Sequence, residues 1–440
     1  MSALYTIVTS LLFLLALPVL PFVAGRARYR RRLLARLGVG LIGRLATPGP
    51  PDAGPCFWVH ALSVGEVTSA LPLVRGLRAH WPQARIVFSA TTASGDQVAR
   101  TLMEPLGATV IAAPLDLGPV VPRFVRLIRP DLFLLVETDF WPNWLHCLQR
   151  AGVATLLING RVSAPSSARY QRFALFFRPM FRTFNLLAMQ TAADADKMIR
   201  LGVDAERVVT LGNLKFATAL PATDRPPDGT GSTKAAWGFA PAAPLWICGS
   251  THPGEEAMLF QVYGRLRVDL PDLQLLVAPR RIERREEIRT TARTHGLECR
   301  TRTGDGAQQG PVLILDTIGE LAGCYVMAEV VFIGGSLVAA GGHNPLEPAA
   351  AGVPVLFGPH MEDFAEIAAT LVACGGGRQV HSPEALATAV EQILTDPALR
   401  RSMAAAAEAC VRANSGVIDR HLEVVARLLT TRATATGKGT

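Results

Sequence analysis

FIGGSLVAAGGHNPLEPAAAGVPVLFGPH, residues 332–360 of this 440-residue chain, has the pattern of a buried strand, a glycine-rich loop and a helix start. The strand ends in Gly-Gly-Ser at residues 334–336, where small residues let backbone N–H groups approach a phosphate. Asn344 is expected as the N-cap, Pro345 as the first helical residue and Glu347 as the third. The segment therefore predicts a nucleotide-binding α/β protein.

Two interpretations of Glu347 stay open on this pattern. One is that its carboxylate only closes a capping box at the helix start. The other is that it holds ribose hydroxyls while a phosphate lies at the helix N-terminus, which favours anions.

The rest of the chain alternates short apolar runs with amphipathic stretches, which indicates βαβ units and buried parallel sheets. We expect two Rossmann-like halves, one over residues 47–220 and one over 234–430, joined by the Pro- and Gly-rich segment 221–233. Ligands of such sheets bind beyond the carboxyl ends of the strands, so two facing halves predict a substrate cleft. The expected strands are at residues 56–59, 85–88, 131–136 and 154–158, and at 245–248, 273–277, 312–315, 330–333 and 354–357.

Residues 1–25 are predicted to be a membrane anchor. Residues 3–25 carry no charge and, at about 1.5 Å per residue in a helix, are long enough to cross a hydrocarbon core of roughly 30 Å. Six arginines follow between residues 26 and 36, and this asymmetry predicts that the rest of the chain lies in the cytoplasm. An interfacial segment kinked at Pro18 and Pro21 is the alternative.

Composition excludes several classes of function. The seven cysteines form no C-x-x-C pair, which argues against a disulfide framework and a zinc ribbon, and no cluster of His, Asp and Glu has the spacing of metal ligands. The net charge of +8 favours anionic partners, but the arginines are spread out and no RNA-binding signature appears. We predict metal-independent chemistry without a cofactor, and no nucleic-acid partner.

Nine short motifs resemble those of the 3-deoxy-D-manno-octulosonic acid (Kdo) transferases. This resemblance implies a GT-B glycosyltransferase, with two Rossmann-like domains facing a cleft and an N-terminal transmembrane helix. It also implies inverting transfer of Kdo from CMP-Kdo to the lipid A precursor (lipid IVA) in lipopolysaccharide core biosynthesis, at the cytoplasmic face of the inner membrane. Besides GGHNPLEPA and PVLFGPH, the matches are WVHALSVGEV (58–67), LLVETDFWPN (134–143), INGRVS (158–163), GNLKF (212–216), GSTHPGEE (249–256), VAPRRIER (277–284) and LDTIGEL (315–321).

The resemblance implies a role for each matching residue. Glu66 is implied as the general base, and Glu137 and Lys215 as groups that stabilise the transition state. Departures from the family pattern at Ile318, Ala217 and the pair Ala339–Ala340 concern substrate affinity rather than reaction class. The implied CMP-binding residues are Pro279, Arg280, Ile318, Gly319, Glu320, Asn344, Pro345, Leu346 and Glu347.

Without the resemblance, purely structural roles for these residues remain open. Glu66 has the position of a first-turn acid that complements a helix dipole, Lys215 that of a solvated surface lysine, and Glu320 that of an early-helix acid. His60 fits a core histidine and a cleft histidine equally well. For the whole chain, the competing hypotheses are a GT-B enzyme or epimerase that uses a UDP-sugar, and a membrane-anchored nucleotide-binding protein without catalysis.

Overall fold

The computed structural model describes residues 2–16, 27–45, 54–219, 233–304 and 310–435. The chain divides into two compact units. The first comprises Met1–Thr218 together with Gly416–Thr440, and the second comprises Ala219–Ser415. Each unit is built on its own parallel sheet of seven strands, so the prediction of two α/β halves is confirmed.

The first unit has the strand order β3-β2-β1-β4-β5-β6-β7, and every neighbouring pair is parallel. The strands are β1 (Cys56–Ala61), β2 (Arg85–Ala90), β3 (Thr109–Ala112), β4 (Leu132–Val136), β5 (Ala154–Gly160), β6 (Leu186–Met189) and β7 (Val208–Thr210). The helices are α1 (Ser2–Ala16), α2 (Ala27–Arg36), α3 (Leu41–Leu45), α4 (Val64–His80), α5 (Ala93–Met103), α6 (Val120–Ile128), α7 (Pro142–Arg150), α8 (Ala164–Arg172), α9 (Ala174–Phe181), α10 (Ala192–Leu201) and α11 (Lys215–Ala219).

The second unit has the order β10-β11-β9-β8-β12-β13-β14, again all parallel. Its strands are β8 (Leu245–Thr251), β9 (Gln274–Pro279), β10 (Cys299–Thr301), β11 (Val312–Ile314), β12 (Val330–Ile333), β13 (Val355–Phe357) and β14 (Gly377–Gln379). Its helices are α12 (Glu255–Asp269), α13 (Arg285–Thr294), α14 (Leu321–Cys324), α15 (Leu346–Ala350), α16 (Ala365–Ala373), α17 (Pro383–Thr395) and α18 (Pro397–Ala413). The last helix of the chain, α19 (Val417–Ala435), belongs to the first unit.

Both faces of the first sheet are covered, which explains why its central strands are apolar without alternation. In β1 the side chain of Trp58 packs into one core cluster with Phe133, while Phe57 and Val59 pack into the other. Successive side chains of a strand point to opposite faces, so one short run of apolar residues supplies both cores. In the second sheet Trp246 and Phe332 pack into one core cluster, and Ile247 and Val331, which alternate with them along the strands, are also buried.

The structure differs from the sequence-based prediction in two respects: it contains additional short strands, and the second domain ends earlier in the chain. The sequence analysis missed five short strands: β3, β6, β7, β10 and β14. It also extended the second domain to residue 430, whereas this unit ends at Ser415 and α19 packs on the first. The reason is apolar packing, because Val417 and Leu422 complete the core beside α4. The linker 221–233 lies almost entirely outside the described residues.

At the N-terminus, the structure describes α1 but not residues 17–26. Within the described ranges, no helix combines the length and hydropathy needed to cross a bilayer. One side of α1 packs on α7, where the Thr6 hydroxyl donates to the side-chain oxygen of Asn143 at 2.6 Å. The predicted membrane anchor therefore stays a prediction.

Candidate functional site

The first candidate site lies at the carboxyl ends of β1 and β4. These strands are neighbours in the middle of the sheet, and the strand order runs outward from them in both directions. Such a switch point is where open α/β sheets leave a crevice for a ligand. Glu66 stands in the first turn of α4, just after β1, and Glu137 directly follows β4.

The Glu66 carboxylate is almost completely buried, with 6% of the residue exposed. It accepts hydrogen bonds from the backbone N–H of Leu62 at 2.5 Å and from the Thr138 hydroxyl at 2.7 Å. Burial raises its pKa to about 7, and the charges of Glu137 and Asp139 act in the same direction, against the two hydrogen bonds. Glu66 does complement the helix start, but it is also a carboxyl group poised to exchange a proton near neutrality.

Glu137 is held in a strained conformation beside it. Its φ of 59° is in the left-handed region, which costs a residue other than glycine about 1–3 kcal/mol and is typical of functional positions. Its carboxylate accepts hydrogen bonds from the Ser69 hydroxyl at 3.3 Å and from the side-chain amide of Asn159 at 2.8 Å. Because Ser69 and Glu66 are both on α4, this helix positions the two acids together.

Asn159 links Glu137 to Lys215. Asn159 is fully buried, also has a positive φ of 56°, and accepts the backbone N–H of Leu214 at 2.9 Å. Lys215 follows directly as the first residue of α11, and its backbone N–H donates to Asn213 at 2.9 Å. The structure therefore connects Glu137 to the residue before Lys215 through one buried amide, while α4 positions Glu66 beside Glu137. The sequence alone predicts no such role for Asn159, although this residue lies in the INGRVS motif.

His60 is a core residue with a polar partner on each ring nitrogen. It is fully buried, its Nε2 lies 2.9 Å from Asp139, and its Nδ1 lies 2.9 Å from the Ser89 hydroxyl. Burial alone would raise the pKa of Asp139, but the hydrogen bonds and charge of His60, with the Thr91 hydroxyl, lower it. Asp139 therefore stays ionised and adds negative charge near Glu66.

The second candidate site follows β8, β9 and β12, the central strands of the second sheet. Here the expectation of a phosphate on the N–H groups of residues 334–336 is wrong. The fully buried Glu255 carboxylate accepts the backbone N–H of Gly335 at 2.6 Å and those of Ser336 and Leu337 at 3.0 Å. The remaining N–H, of Gly334, donates to the carbonyl of Gly249. A protein carboxylate thus fills the anion-binding loop.

At this edge positive charge is offered by the side chain of Arg280 rather than by backbone amides, and two histidines lie near it. His252 follows β8, Arg280 follows β9, and His343 lies in the loop after β12. The Nε2 atoms of the two histidines are 2.8 Å apart and their rings are stacked at 5.0 Å. Burial, together with the charges of His252 and Arg280, lowers the pKa of His343 to about 4. His343 was missed as a candidate, although it lies inside the quoted motif.

The helix start after this loop differs slightly from the prediction. The helix α15 begins at Leu346, one residue later than expected, and Pro345 takes the N-cap position. The Asn344 side chain still caps it by accepting the N–H of Leu346 at 3.1 Å, and the amide of Asn344 donates to Glu347 at 3.3 Å. The Glu347 carboxylate is therefore oriented by Asn344.

The other implied nucleotide contacts lie beyond β9 and β11. Pro279 is buried as the last residue of β9, and Arg280 after it is exposed. The loop after β11 is open: Ile318 is 84% exposed and Gly319 has a φ of 91°. The Thr317 hydroxyl and Arg302 lower the pKa of Glu320. Glu320 thus stays a carboxylate.

No group of three or more His, Cys, Asp or Glu residues in the described part of the chain could hold a metal ion. The one Asp-x-Asp pair of the sequence is Asp194 and Asp196. The Asp194 carboxylate is buried, accepts the N–H of Val162 at 3.2 Å and pairs with Lys197 at 2.9 Å. Asp194 therefore fixes the first turn of α10 against the loop that follows β5.

Comparisons with known proteins agree on one family. The family model described as 3-Deoxy-D-manno-octulosonic-acid transferase (kdotransferase) matches residues 31–218. A 3-deoxy-D-manno-octulosonic acid transferase of Haemophilus influenzae is 33% identical over 90% of this chain and 91% of its own length. One from Bordetella pertussis is 31% identical over 87% of this chain and 90% of its own.

Solved structures agree on the fold. A UDP-GlcNAc 2-epimerase from Neisseria meningitidis superposes with a TM-score of 0.59 at 10% identity, over 85% of this chain and all of that one. A glycosyltransferase from Rickettsia africae gives 0.56 at 11% identity, over 85% and 98% of the two chains. Both likenesses show the α/β architecture with two parallel sheets.

Glu66→Gln should remove a pH-dependent loss of stability. A pKa raised from 4.5 to about 7 means that the folded protein binds this proton more tightly than the unfolded chain, so stability falls as pH rises through that window. The difference corresponds to roughly 3 kcal/mol. In urea titrations, we expect the variant to gain stability over the wild type at pH 8 and to gain little at pH 4. An equal difference at both pH values would contradict the buried-acid assignment.

Proposed function

Because the chain belongs to the 3-deoxy-D-manno-octulosonic acid transferase family, we propose that it moves Kdo from CMP-Kdo to a hydroxyl of the lipid A precursor. The observation that carries this proposal is the buried Glu66, with a pKa of about 7, beside Glu137 at the switch point of the first sheet. A base with this pKa is matched to removing a proton from a sugar hydroxyl near neutrality. CMP-Kdo and the lipid A precursor are the proposed partners.

In the proposed inverting reaction, the acceptor oxygen bonds to the anomeric carbon of Kdo as the bond from that carbon to phosphate oxygen breaks. CMP leaves with the bonding electrons, and the proton of the hydroxyl moves to Glu66. The Leu62 N–H and the Thr138 hydroxyl hold both oxygens of Glu66, so the carboxylate is oriented before substrate binds. Protonation also relieves the charge that burial disfavours.

Glu137 and Lys215 are proposed to stabilise the transition state electrostatically. Their shared connection through Asn159 supports a common role, because one buried side chain fixes both positions. The ammonium group of Lys215 would offset negative charge on the departing phosphate or on the sugar carboxylate.

We assign donor binding to the second unit. Arg280, with a planar fork of N–H donors, suits a phosphate, and the His252–His343 pair places imidazole nitrogens nearby. Glu347, oriented by Asn344, is proposed to accept ribose hydroxyls. The remaining proposed CMP contacts are Pro279, Ile318, Gly319, Glu320, Pro345 and Leu346.

The N-terminal segment is proposed to attach the enzyme to the cytoplasmic face of the inner membrane. Support comes from α1, whose packed side contacts α7 while its other side exposes apolar residues. Exposure is 53% at Leu11, 60% at Leu12 and 74% at Leu15. A contiguous apolar stripe on a docked helix is what a lipid surface would cover.

Glu66→Gln should slow transfer of Kdo by a factor of about 10² to 10⁴, because the substituted amide cannot accept a proton. For the wild type, the rate should rise with pH along an apparent pKa near 7, since only the ionised carboxylate acts as a base. The assay uses CMP-Kdo and lipid A precursor, with Glu287→Gln as a matched exposed control. Undiminished transfer by Glu66→Gln would refute the base, and turnover of a UDP-sugar in place of CMP-Kdo would refute the donor.

Glu347→Ala should act on donor binding rather than on chemistry. Loss of hydrogen bonds to a charged group is expected to raise the KM for CMP-Kdo roughly tenfold or more, with kcat little changed. Glu362→Ala is the control, because this exposed acid of the same unit pairs only with His360 among the described residues. A fall in kcat at unchanged KM would mean that Glu347 serves the reaction step instead.

Replacing Leu11, Leu12 and Leu15 together by Gln should weaken co-sedimentation with phospholipid vesicles. These side chains do not form the polar contacts of α1 with α7, so the fold should be kept. Val268→Gln, at an apolar side chain 80% exposed in the second unit, controls for general surface hydrophobicity. Vesicle binding unchanged by the triple substitution would contradict membrane attachment through this surface.

A further inference from the structure

A cavity of about 360 Å³ in the first unit is lined by four arginines and has no role in the reaction as described so far. Its walls come from α2, α3, the first turns of α5 and the end of β3. Among the described residues of the lining, the arginines are Arg31, Arg32, Arg44 and Arg100, and the one acid is Asp96. The walls therefore carry a clear excess of positive charge.

This charge is only partly neutralised within the protein. Arg100 pairs with Asp96 at 3.0 Å and with Glu104 at 3.1 Å. Arg32 and Arg44 donate to the backbone carbonyls of Thr91 and Val110. Arg31 makes no hydrogen bond or ion pair with any described residue.

The lining suits one ligand chemistry. Guanidinium groups bind phosphates through paired N–H donors, and several converging on one cavity favour a multiply charged anion over a carboxylate. The helix α5 begins at the cavity with Ala93, so the positive end of its dipole adds to the field. The volume lies within the range of about 300–1,000 Å³ that is usual for small-molecule sites.

The position of the cavity connects it to Glu66. Arg32, in its wall, donates to the Thr91 carbonyl, and the Thr91 hydroxyl donates to Asp139 at 2.5 Å. Asp139 is close enough to Glu66 for its charge to act on that carboxyl group. Both the cavity and Glu66 lie at the carboxyl-end edge of the same sheet, one beyond β2 and β3 and the other beyond β1.

We propose that this arginine cavity binds a phosphate monoester of the acceptor and thereby directs the acceptor hydroxyl to Glu66. This assignment rests on the proposed function, because it takes the acceptor to be a phosphorylated glycolipid. The phosphate head group of an anionic membrane lipid has the same chemistry, and the experiment must separate the two sources.

The test compares the wild type with Arg31→Gln/Arg44→Gln, in which two exposed arginines of the lining lose their charge. Arg30→Gln is the matched control, because Arg30 is an exposed arginine of the same helix outside the cavity lining. Arg31→Lys keeps the positive charge but removes the paired N–H donors of the guanidinium group. Transfer is measured with the phosphorylated acceptor and with the same acceptor after enzymatic dephosphorylation.

For the double variant, we expect the KM for the phosphorylated acceptor to rise at least about tenfold, with kcat and the KM for CMP-Kdo within about twofold. Arg31→Lys should fall between it and the wild type, and Arg30→Gln should match the wild type. With dephosphorylated acceptor, the wild type and the double variant should be equally poor. An unchanged KM, or the same relative loss on both acceptors, would overturn the proposal.

A vesicle-binding experiment without CMP-Kdo tests this inference separately from the proposed function. Zwitterionic vesicles that contain phosphorylated acceptor should bind the wild type more tightly than the double variant, even if no Kdo is transferred. The other two arms are vesicles with dephosphorylated acceptor and vesicles with phosphatidylglycerol but no acceptor, and there the two proteins should bind alike. A difference confined to the phosphatidylglycerol arm would assign the cavity to membrane lipid and overturn its assignment to the acceptor.

Discussion

The desolvation of one carboxyl group, that of Glu66, shapes the first unit around its site. Burial raises the free energy of the charged form. Two fixed donors, the Leu62 N–H and the Thr138 hydroxyl, stabilise that form in part. Neither donor carries a charge, so the pKa stays near 7 instead of returning to the usual range. The strained φ values at Glu137 and Asn159 serve the same arrangement, since they bring a second acid and its buried amide to the first.

The second unit has the opposite proposed role, which is to stabilise negative charge on a ligand. Its glycine loop after β12 is already occupied by the carboxylate of Glu255, which makes the loop rigid but removes its amides from ligand binding. Positive charge comes instead from the Arg280 guanidinium, beside which His252 and the neutral His343 supply imidazole nitrogens. Because the two imidazoles share one short contact between their Nε2 atoms, only one of them can donate its proton there.

The sequence predicts the parts of this architecture that depend on local pattern. Apolar runs located the long central strands of both sheets, and the glycine-rich motif located the loop and helix after β12. Short edge strands such as Val208–Thr210 were missed because three residues carry too little pattern. The Glu255 contacts could not be predicted, since its partners are about 80 residues away in the chain. The side on which α19 packs is likewise decided by contacts with α4 that no local pattern encodes.

For the site residues, too, the local sequence predicts one part and the long-range contacts decide the other. Motifs quoted for the family resemblance contain Glu66, Glu137, Lys215 and Glu347, but the environment that tunes them comes from the fold. The most direct test of the account is a titration of the Glu66 carboxyl group by NMR. Protein labelled with ¹³C at the glutamate carboxyl groups is compared with the same preparation of Glu66→Gln, so that the missing signal is assigned to Glu66. The account predicts that this signal titrates with a pKa of about 7, whereas titration near 4.5, the ordinary value for glutamate, would contradict it.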